Sequence, residues 1–378
     1  MYHRRSSVVP ALAAVLAAGG LLLPIRGARS EDPPPARPAD VPNRPAGIAD
    51  RPNQVRGDEI TPAQQESVNL GLEWLADHQR PDGGFGGSPY SGDESPHAGI
   101  TALAGLAFMQ AGNLPGRGKY GTNVQHCLDF VLHSSQESGL IASDQSHGPM
   151  YGHGFATLFL GEIYGMTGNE EVKEKLLKAV HLIERTQNPE GGWRYQPVPY
   201  DADISVTICE VMALRAARDA GIKVEKDVID KAIKYVRSCQ NPDGGFCYQA
   251  DMHGSGSGYA RSAAGVAALY YAGVFEGDDL DRGLKYLERY TPGSGEQAAE
   301  GMYFYGNYYA VQAMFLAGGD YWSKFFPALR DQLIARQDKS NGSWTGEAGD
   351  AYATSMALII LQMPNRYLPV YSGKGPGS

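Results

Sequence analysis

A seven-residue phrase, Gln187-Asn-Pro-Glu-Gly-Gly-Trp193, decides the architecture of this chain because it recurs at wide and regular intervals. Two close copies and one looser copy are Gln79-Arg-Pro-Asp-Gly-Gly-Phe85, Gln240-Asn-Pro-Asp-Gly-Gly-Phe246 and Gln337-Asp-Lys-Ser-Asn-Gly-Ser-Trp344. Degenerate copies at Gln136 and Tyr290 fill the gaps between them. Marks with a period of about 52 residues predict a fold that is assembled from six similar structural units.

The composition divides the chain into four segments. Residues 1–30 contain the apolar run Val8–Pro24 after a basic start, which predicts an export signal, with an uncleaved anchor as the alternative. Residues 31–57 hold seven prolines and few bulky apolar side chains, which predicts a disordered tether. Residues 58–366 are long enough to bury a large core, and 367–378 are expected to form a flexible tail. The protein is therefore expected in the periplasm, the cell envelope or outside the cell.

The charge and the cysteines exclude several function classes. The net charge is −9 and the chain has no cluster of Lys and Arg, so we do not expect nucleic acid as a partner. The spacing of the four cysteines does not match a zinc site, and no metal or other cofactor is expected. We expect reduced thiols, with a local disulfide between Cys239 and Cys247 as the alternative.

Each unit is predicted to contain two helices. An amphipathic stretch precedes each Gln, and the first of these opens at Thr61-Pro62, a cap followed by proline in the first turn. The glycines of the phrase end that helix. A stretch that is apolar all round follows, as in Gly99–Phe108 and Ala263–Tyr271, and such a helix is buried. Six outer helices would thus cover six inner ones, but the period alone does not distinguish a closed ring from an open solenoid.

The repeats resemble those of the terpenoid cyclase and protein prenyltransferase superfamily, also called squalene-oxidase-type repeats, over essentially all of residues 58–366. The resemblance implies an all-α (α/α)6 toroid whose inner helices line a central cavity. Class II terpene cyclases carry Asp-x-Asp-Asp-Thr-Ala at the start of an inner helix, and the middle Asp protonates the substrate. The matching stretch here is Asp201-Ala-Asp203-Ile-Ser-Val206, in which the third carboxylate is lost.

By this resemblance Asp203 would be the general acid and Asp201 its hydrogen-bond partner. An N-cap is the alternative role for Asp203, and the two roles are compatible. Zinc binding as in protein prenyltransferases is not expected, because Ala353 stands at the position of the zinc-binding His. A thioester as in complement-like proteins is not expected either, because Ser294 replaces the thiol in Gly293-Ser-Gly-Glu-Gln297.

Several aromatic and polar residues recur near the starts of the inner helices and are candidates for substrate binding. Aromatic faces stabilise carbocations and bind apolar or sugar rings, whereas plain packing is the alternative role. The tyrosine candidates are Tyr151, Tyr259, Tyr303, Tyr305 and Tyr352. The polar candidates, each with a purely structural alternative, are His97, His153 and Asp350.

Three functions remain open from the sequence. The leading hypothesis is an exported terpenoid-cyclase-like toroid that binds an isoprenoid or other apolar small molecule in its central cavity, with acid-initiated cyclisation as its catalytic form. Peripheral membrane association would accompany it, and the oligomeric state stays open. The alternatives are a secreted glycan-active toroid of lyase or hydrolase type and a non-catalytic interaction domain of the envelope. A deep apolar pocket with one acid would favour the terpenoid-cyclase-like protein. A wet cleft with several carboxylates and Arg or Lys would favour the glycan-active toroid, and a filled centre would favour the non-catalytic domain.

Overall fold

The computed structural model describes residues 59–86, 95–143, 148–294 and 302–372. The predicted signal and tether, and Gly295 to Gln297 of the thioester-like loop, lie outside these residues. The described part contains twelve α-helices. These are α1 Pro62–His78, α2 Ala98–Gln110, α3 Gly121–His133, α4 Met150–Thr167, α5 Glu170–Thr186, α6 Ile204–Asp219, α7 Lys226–Ser238, α8 Tyr259–Ala272, α9 Asp278–Glu288, α10 Tyr303–Ala317, α11 Gly319–Arg336 and α12 Asp350–Leu361.

The even-numbered helices form a closed inner ring. Each packs against the next even-numbered helix along the chain, and α12 packs against α2. The odd-numbered helices pack on the outside of this ring, and α11 also contacts α1. The inner helices are buried almost throughout, whereas α5, α7 and α9 expose a charged face. The prediction of an all-α (α/α)6 toroid is confirmed, and the closed ring rules out an open solenoid.

The first glycine of each Gly-Gly turn fits because it has no side chain. Gly244 has φ +86° and its Cβ position overlaps the carbonyl oxygen of Arg282 on α9. A backbone with φ in this range favours glycine, and here the next outer helix also occupies the space of a side chain. The same combination occurs in four further turns, at Gly83, Gly139, Gly191 and Gly342.

The Gln of each phrase joins one unit to the next. The Nε2 of Gln187 donates to the carbonyl of Gly191 (2.9 Å) in its own turn and to that of Val228 (2.8 Å) at the start of α7. Gln337 makes the equivalent pair of bonds, to Gly342 (2.8 Å) and to Ser67 (2.9 Å) on α1. The last unit is therefore bonded to the first by the same device that joins consecutive units.

The aromatic residue ties the turn to both helices of its unit. The backbone N–H of Trp193 donates to Thr207 Oγ1 (3.1 Å) on α6, and its indole N–H donates to the carbonyl of Ile183 (2.8 Å) on α5. Trp344 makes the corresponding bonds to α12 and α11. These bonds satisfy polar groups that the packed ring would otherwise bury unpaired.

Side chains cross the middle of the ring. The rings of Phe155 on α4 and Tyr308 on α10 lie 6.0 Å apart edge to face. The Tyr305 hydroxyl on α10 donates to the carbonyl of Ser205 (2.9 Å) on α6, and Tyr309 OH lies 3.2 Å from Cys209 Sγ. The centre is thus filled by side chains, which differs from the open central cavity that the resemblance implies.

The C-terminal segment packs against the end of the ring where the inner helix α4 ends. Residues 369–372 form a short 3-10 helix, and Leu368, Val370 and Tyr371 are buried. The Val370 N–H donates to Glu162 Oε1 (3.1 Å) near the end of α4. The folded part therefore extends past the expected boundary at residue 366.

Within the residues that the structure describes, none of the helices is long and apolar enough to cross a bilayer. The four thiols, Cys127, Cys209, Cys239 and Cys247, are buried and unpaired.

Candidate functional site

The N-terminal ends of three inner helices surround a cavity of about 260 Å³. Residues from the starts of α6, α8 and α10 meet there, together with a tyrosine from the turn that precedes α8. The lining residues are Ser205, Tyr248, Gly258, Tyr259, Ala260, Arg261, Met302 and Tyr305. The cavity therefore lies above the filled centre, on the face to which the sequence assigned the candidate residues.

Asp203 is fully buried and caps α6. Its Oδ1 accepts hydrogen bonds from the N–H groups of Ser205 and Val206 (both 2.9 Å) and from the Ser205 hydroxyl (2.6 Å). Burial raises the pKa of the Asp203 carboxyl, while the bonds from Ser205, Val206 and Tyr248 oppose this rise. The cap is thus a property of the fold, and the catalytic role of Asp203 stays a prediction.

An arginine connects the two aspartates of the motif. Arg194 forms an ion pair with Asp201, and its Nε lies 3.5 Å from Asp203 Oδ2. Tyr248 donates to the same Oδ2 (3.1 Å), and its hydroxyl is also hydrogen-bonded to that of Tyr195. The guanidinium of Arg194 therefore lies between the carboxylates of Asp201 and Asp203. The network holds Asp203 as a hydrogen-bond acceptor, which favours the charged carboxylate.

The structure brings four of the five predicted tyrosines close to this face. The Tyr151 hydroxyl lies 2.6 Å from Ser205 Oγ, and Tyr259 donates to Asn307 Oδ1 (2.7 Å). Tyr305 and Tyr259 line the cavity itself. Burial raises the pKa of all four hydroxyls, which keeps them neutral as donors; they are Tyr151, Tyr259, Tyr305 and Tyr352.

Tyr303 and Asp350 lie elsewhere. The Tyr303 hydroxyl donates to Gln332 Oε1 (2.8 Å) on α11, and the guanidinium of Arg336 lies 4.0 Å from its ring centre. This side chain faces the outer layer, away from the lining of the cavity. Asp350 is exposed at the first position of α12, outside the cavity lining.

The two histidines have structural contacts. His97 caps α2, and its Nδ1 accepts from the N–H of Gly99 (3.1 Å). His153 is fully buried, and its Nδ1 accepts from the N–H of Ile141 (3.1 Å) beside the second turn. Burial lowers the pKa of His153 to about 4, so this imidazole is neutral near pH 7. Neither lines the cavity.

Sequence reasoning missed four residues of the site, namely Arg194, Tyr195, Tyr248 and Glu347. A signal was present for two of them: Tyr195 and Tyr248 each stand two residues after the aromatic that ends a Gly-Gly turn. Glu347 Oε1 accepts from the N–H of Tyr305 (3.0 Å), and burial raises the pKa of the Glu347 carboxyl. No group of three potential metal ligands occurs in the four described ranges.

The ring of paired helices with a tyrosine-rich cleft over the starts of the inner helices defines an α/α toroid with a candidate small-ligand site. The model of the prenyltransferase alpha-alpha toroid domain matches residues 57–365, and the chain belongs to this family. The superfamily resemblance is thereby confirmed. A search of curated protein sequences gave no match.

Solved structures with the same fold act on different substrates. The alpha-1,6-mannanase GH76A of Salegentibacter sp. HEL1_6 has a TM-score of 0.61 and 11% identity, covering 79% of this chain and 98% of that one. Cellobiose 2-epimerase from Spirochaeta thermophila DSM 6192 has a TM-score of 0.58 and 14% identity, covering 80% of this chain and 97% of that one. The type II terpene cyclase MstE from Scytonema has a TM-score of 0.56 and 13% identity, covering 81% of this chain and 98% of that one. At these identities the likeness shows the fold alone.

Proposed function

We propose that the cleft binds a small polar ring compound, and that the natural ligand is a sugar unit of a glycan. The observation that carries the proposal is the position of the cavity. It lies over the starts of α6, α8 and α10, with tyrosine side chains in its wall and a filled ring centre beneath it.

The size of the cavity favours a compact ligand. Pockets for drug-sized molecules have volumes of roughly 300–1,000 Å³, and this one has about 260 Å³. A long isoprenoid chain would need the middle of the ring, where Phe155 contacts Tyr308 and Tyr305 is bonded to Ser205. A single sugar ring needs no rearrangement of these contacts.

The chemistry of the wall suits a sugar. Tyr259 and Tyr305 offer amphipathic aromatic surface, and Ser205 and Tyr248 offer hydroxyl groups, which is the mixture that binds a ring with an apolar face and a polar edge. The carboxylates of Asp201 and Asp203 lie beside the cavity with Arg194 between them. Of the features expected of a glycan-active toroid, the site has an arginine in its wall and two carboxylates beside it, although neither carboxylate lines the cavity. The filled centre is the feature expected of a non-catalytic interaction domain, and the open cavity above it favours ligand binding instead. Export to the envelope, which stays a prediction, would give such a site access to extracellular glycans.

An isoprenoid ligand with acid-initiated cyclisation is the second candidate. It is favoured by the position of Asp203, which matches the proton donor of the class II cyclase motif, and by burial, which raises the pKa of this carboxyl. To act as the acid, Asp203 would have to take up a proton in spite of the hydrogen bonds that it accepts from Ser205 and Tyr248 and the positive charge of Arg194 nearby. The filled centre and this donor set make it the weaker candidate.

Ligand-observed NMR saturation transfer tests the proposal. The purified protein is mixed with methyl glycosides of glucose, galactose and mannose, with their uronic acids, and with farnesol in mild detergent. We expect saturation transfer to at least one sugar and none to farnesol. Tyr259→Ala should abolish the sugar signal, whereas the matched control Tyr303→Ala should retain it, because Tyr303 faces α11. Thermal unfolding checks that both variants fold. Transfer to farnesol alone would overturn the proposal in favour of the isoprenoid candidate.

A further inference from the structure

The cavity wall includes a cation that pairs with no carboxylate of the described residues. Arg261 is the third residue of α8 and lines the cavity. Among the described residues no carboxylate lies within ion-pair distance of its guanidinium, whereas Arg194 pairs with Asp201 in the same region and Arg237 pairs with Asp279 (2.6 Å) on the outside of the ring. An unbalanced charge that is partly withdrawn from water favours an anionic ligand group.

The guanidinium of Arg261 is held in a fixed position. Its Nε donates to the carbonyl of Phe246 (3.0 Å) and its Nη2 to that of Gly256 (3.1 Å). The side chain also lies against Gly258, where a Cβ would be 2.9 Å from the Arg261 Nε. These bonds use two of the five N–H groups of an arginine, so the remaining donors are available on a side chain that is already ordered.

The rest of the wall adds to the preference for an anion. The cap of α8 is Gly258, which supplies no side-chain acceptor to the first N–H groups of this helix. The partial positive charge of a helix N-terminus therefore lies beside the guanidinium. The nearby carboxylate of Asp203 already accepts hydrogen bonds from the N–H groups at the start of α6 and from the Tyr248 hydroxyl. The hydroxyls of Ser205 and Tyr248 border the same space.

We propose that Arg261 is the specificity-determining residue of the cleft and that it selects a ligand with a carboxylate next to its ring, such as a uronic acid unit. This inference rests on the proposed function, since it assumes that the cleft binds a sugar. The planar guanidinium matches a carboxylate, which can accept two parallel N–H bonds. A neutral sugar of the same shape would leave the charge of Arg261 without a partner.

The experiment compares matched pairs of ligands by isothermal titration calorimetry. Methyl glucuronoside is paired with methyl glucoside, and methyl galacturonoside with methyl galactoside, at low and at physiological salt. In the wild type we expect the acidic member of at least one pair to bind ten times more tightly or better, with a preference that shrinks as salt rises. Arg261→Gln should reduce this preference to less than twofold. The control Arg237→Gln, which removes a positive charge from the outer surface, should leave it unchanged.

The possible results distinguish a failure of the role of Arg261 from a failure of the sugar site. If a neutral sugar binds as tightly as its acidic partner, Arg261 does not select the ligand, although the cleft still binds sugars. If no member of either pair binds the wild type, both the inference and the sugar site are wrong. Should Arg261→Gln fail to fold, Arg261→Lys retains the charge without the planar fork. It should keep a preference for the acid that is weaker than in the wild type, and a lysine variant without any preference would overturn the inference.

Discussion

Asp203 shows how one carboxylate stabilises several parts of the fold. It caps α6 and accepts the Tyr248 hydroxyl of the following unit, and it lies beside the Arg194 guanidinium. Removing the carboxylate would leave buried N–H and O–H donors without an acceptor. An unpaired buried donor destabilises the folded state by more than its hydrogen bond stabilises it.

We therefore expect Asp203→Ala to lower the free energy of unfolding by about 2–4 kcal/mol. Asp203→Asn should cost less, because its amide oxygen still accepts from the N–H groups of Ser205 and Val206. Urea denaturation of the two variants beside the wild type measures both effects. An alanine variant as stable as the wild type would show that the cap contributes nothing.

Glu162 gives a prediction for the pH dependence of stability. Burial raises the pKa of this carboxyl to about 8, and the nearby Asp219 adds to the rise. The ordinary pKa of the unfolded chain is about 4.3. The folded state therefore favours the protonated acid. This contribution to the free energy of unfolding is fully present below pH of about 4 and is lost as the pH rises through about 8.

Glu162→Gln removes the titration and keeps an acceptor for the N–H of Val370. We expect wild type and variant to be similarly stable near pH 4, and the variant to be more stable at pH 8.5 by on the order of 5 kcal/mol. Urea denaturation across this range measures the difference. A difference between the two proteins that stays constant with pH would contradict the assignment.

The sequence does not reveal the register of the tyrosines on their helix. Tyr303 and Tyr305 are two residues apart on α10, which corresponds to about 200° around a helix. One therefore faces Gln332 on the outer layer and the other faces Ser205 across the ring. Both look equivalent in the sequence, because the phase of a helix that is apolar all round cannot be determined from its pattern.

The turns set the spacing of the helices at the scale of elements. Each first glycine combines a positive φ with direct contact to the next outer helix, so two separate penalties oppose a side chain there. We expect Gly244→Ala to destabilise the protein by about 2–4 kcal/mol. Gly254→Ala is the matched control, because no atom lies within 4 Å of its Cβ position and its φ is not in the glycine region. Equal melting temperatures for the two variants would show that the turn tolerates a side chain.

Most elements could be predicted because they carry a local signal. The start of α1 is an example: Thr61 caps the helix in a capping box with Gln64, and Pro62 occupies the first turn. The short helix at 369–372 had no such signal. Its residues are buried because the far end of the ring offers them a surface, which only the tertiary structure provides.

Ring closure is a property of the whole molecule, and Gln337 provides a test of it. Its amide joins the turn of the last unit to Ser67 on α1. In an open solenoid this side chain would be at a free end. We expect Gln187→Ala, which removes two hydrogen bonds, to lower the free energy of unfolding by about 1–3 kcal/mol. Gln337→Ala should cost at least as much, because the Oε1 of Gln337 also accepts hydrogen bonds from Ser67 Oγ (2.6 Å) and Lys339 Nζ (2.8 Å). If Gln187→Ala lowers the free energy of unfolding and Gln337→Ala leaves it unchanged, ring closure does not depend on this contact.

The period of the repeat predicted the number of units but not the curvature of the ring or the content of its centre. Those depend on side chains from opposite helices, such as Phe155 and Tyr308, which are distant in sequence and meet only after closure. The cleft over the inner-helix starts is what remains open, and the account of function depends on it.

The natural ligand can be identified from what the purified protein retains. The purified protein is incubated with a mixed lipid and soluble-glycan extract of bacterial envelopes, washed, and analysed for bound molecules by mass spectrometry. Arg261→Gln and Tyr259→Ala are treated in parallel. An acidic-sugar site in the cleft predicts that the wild type retains a small acidic sugar compound, that both variants lose it, and that no isoprenoid is retained. An isoprenoid bound to the wild type, with no sugar retained, would contradict it.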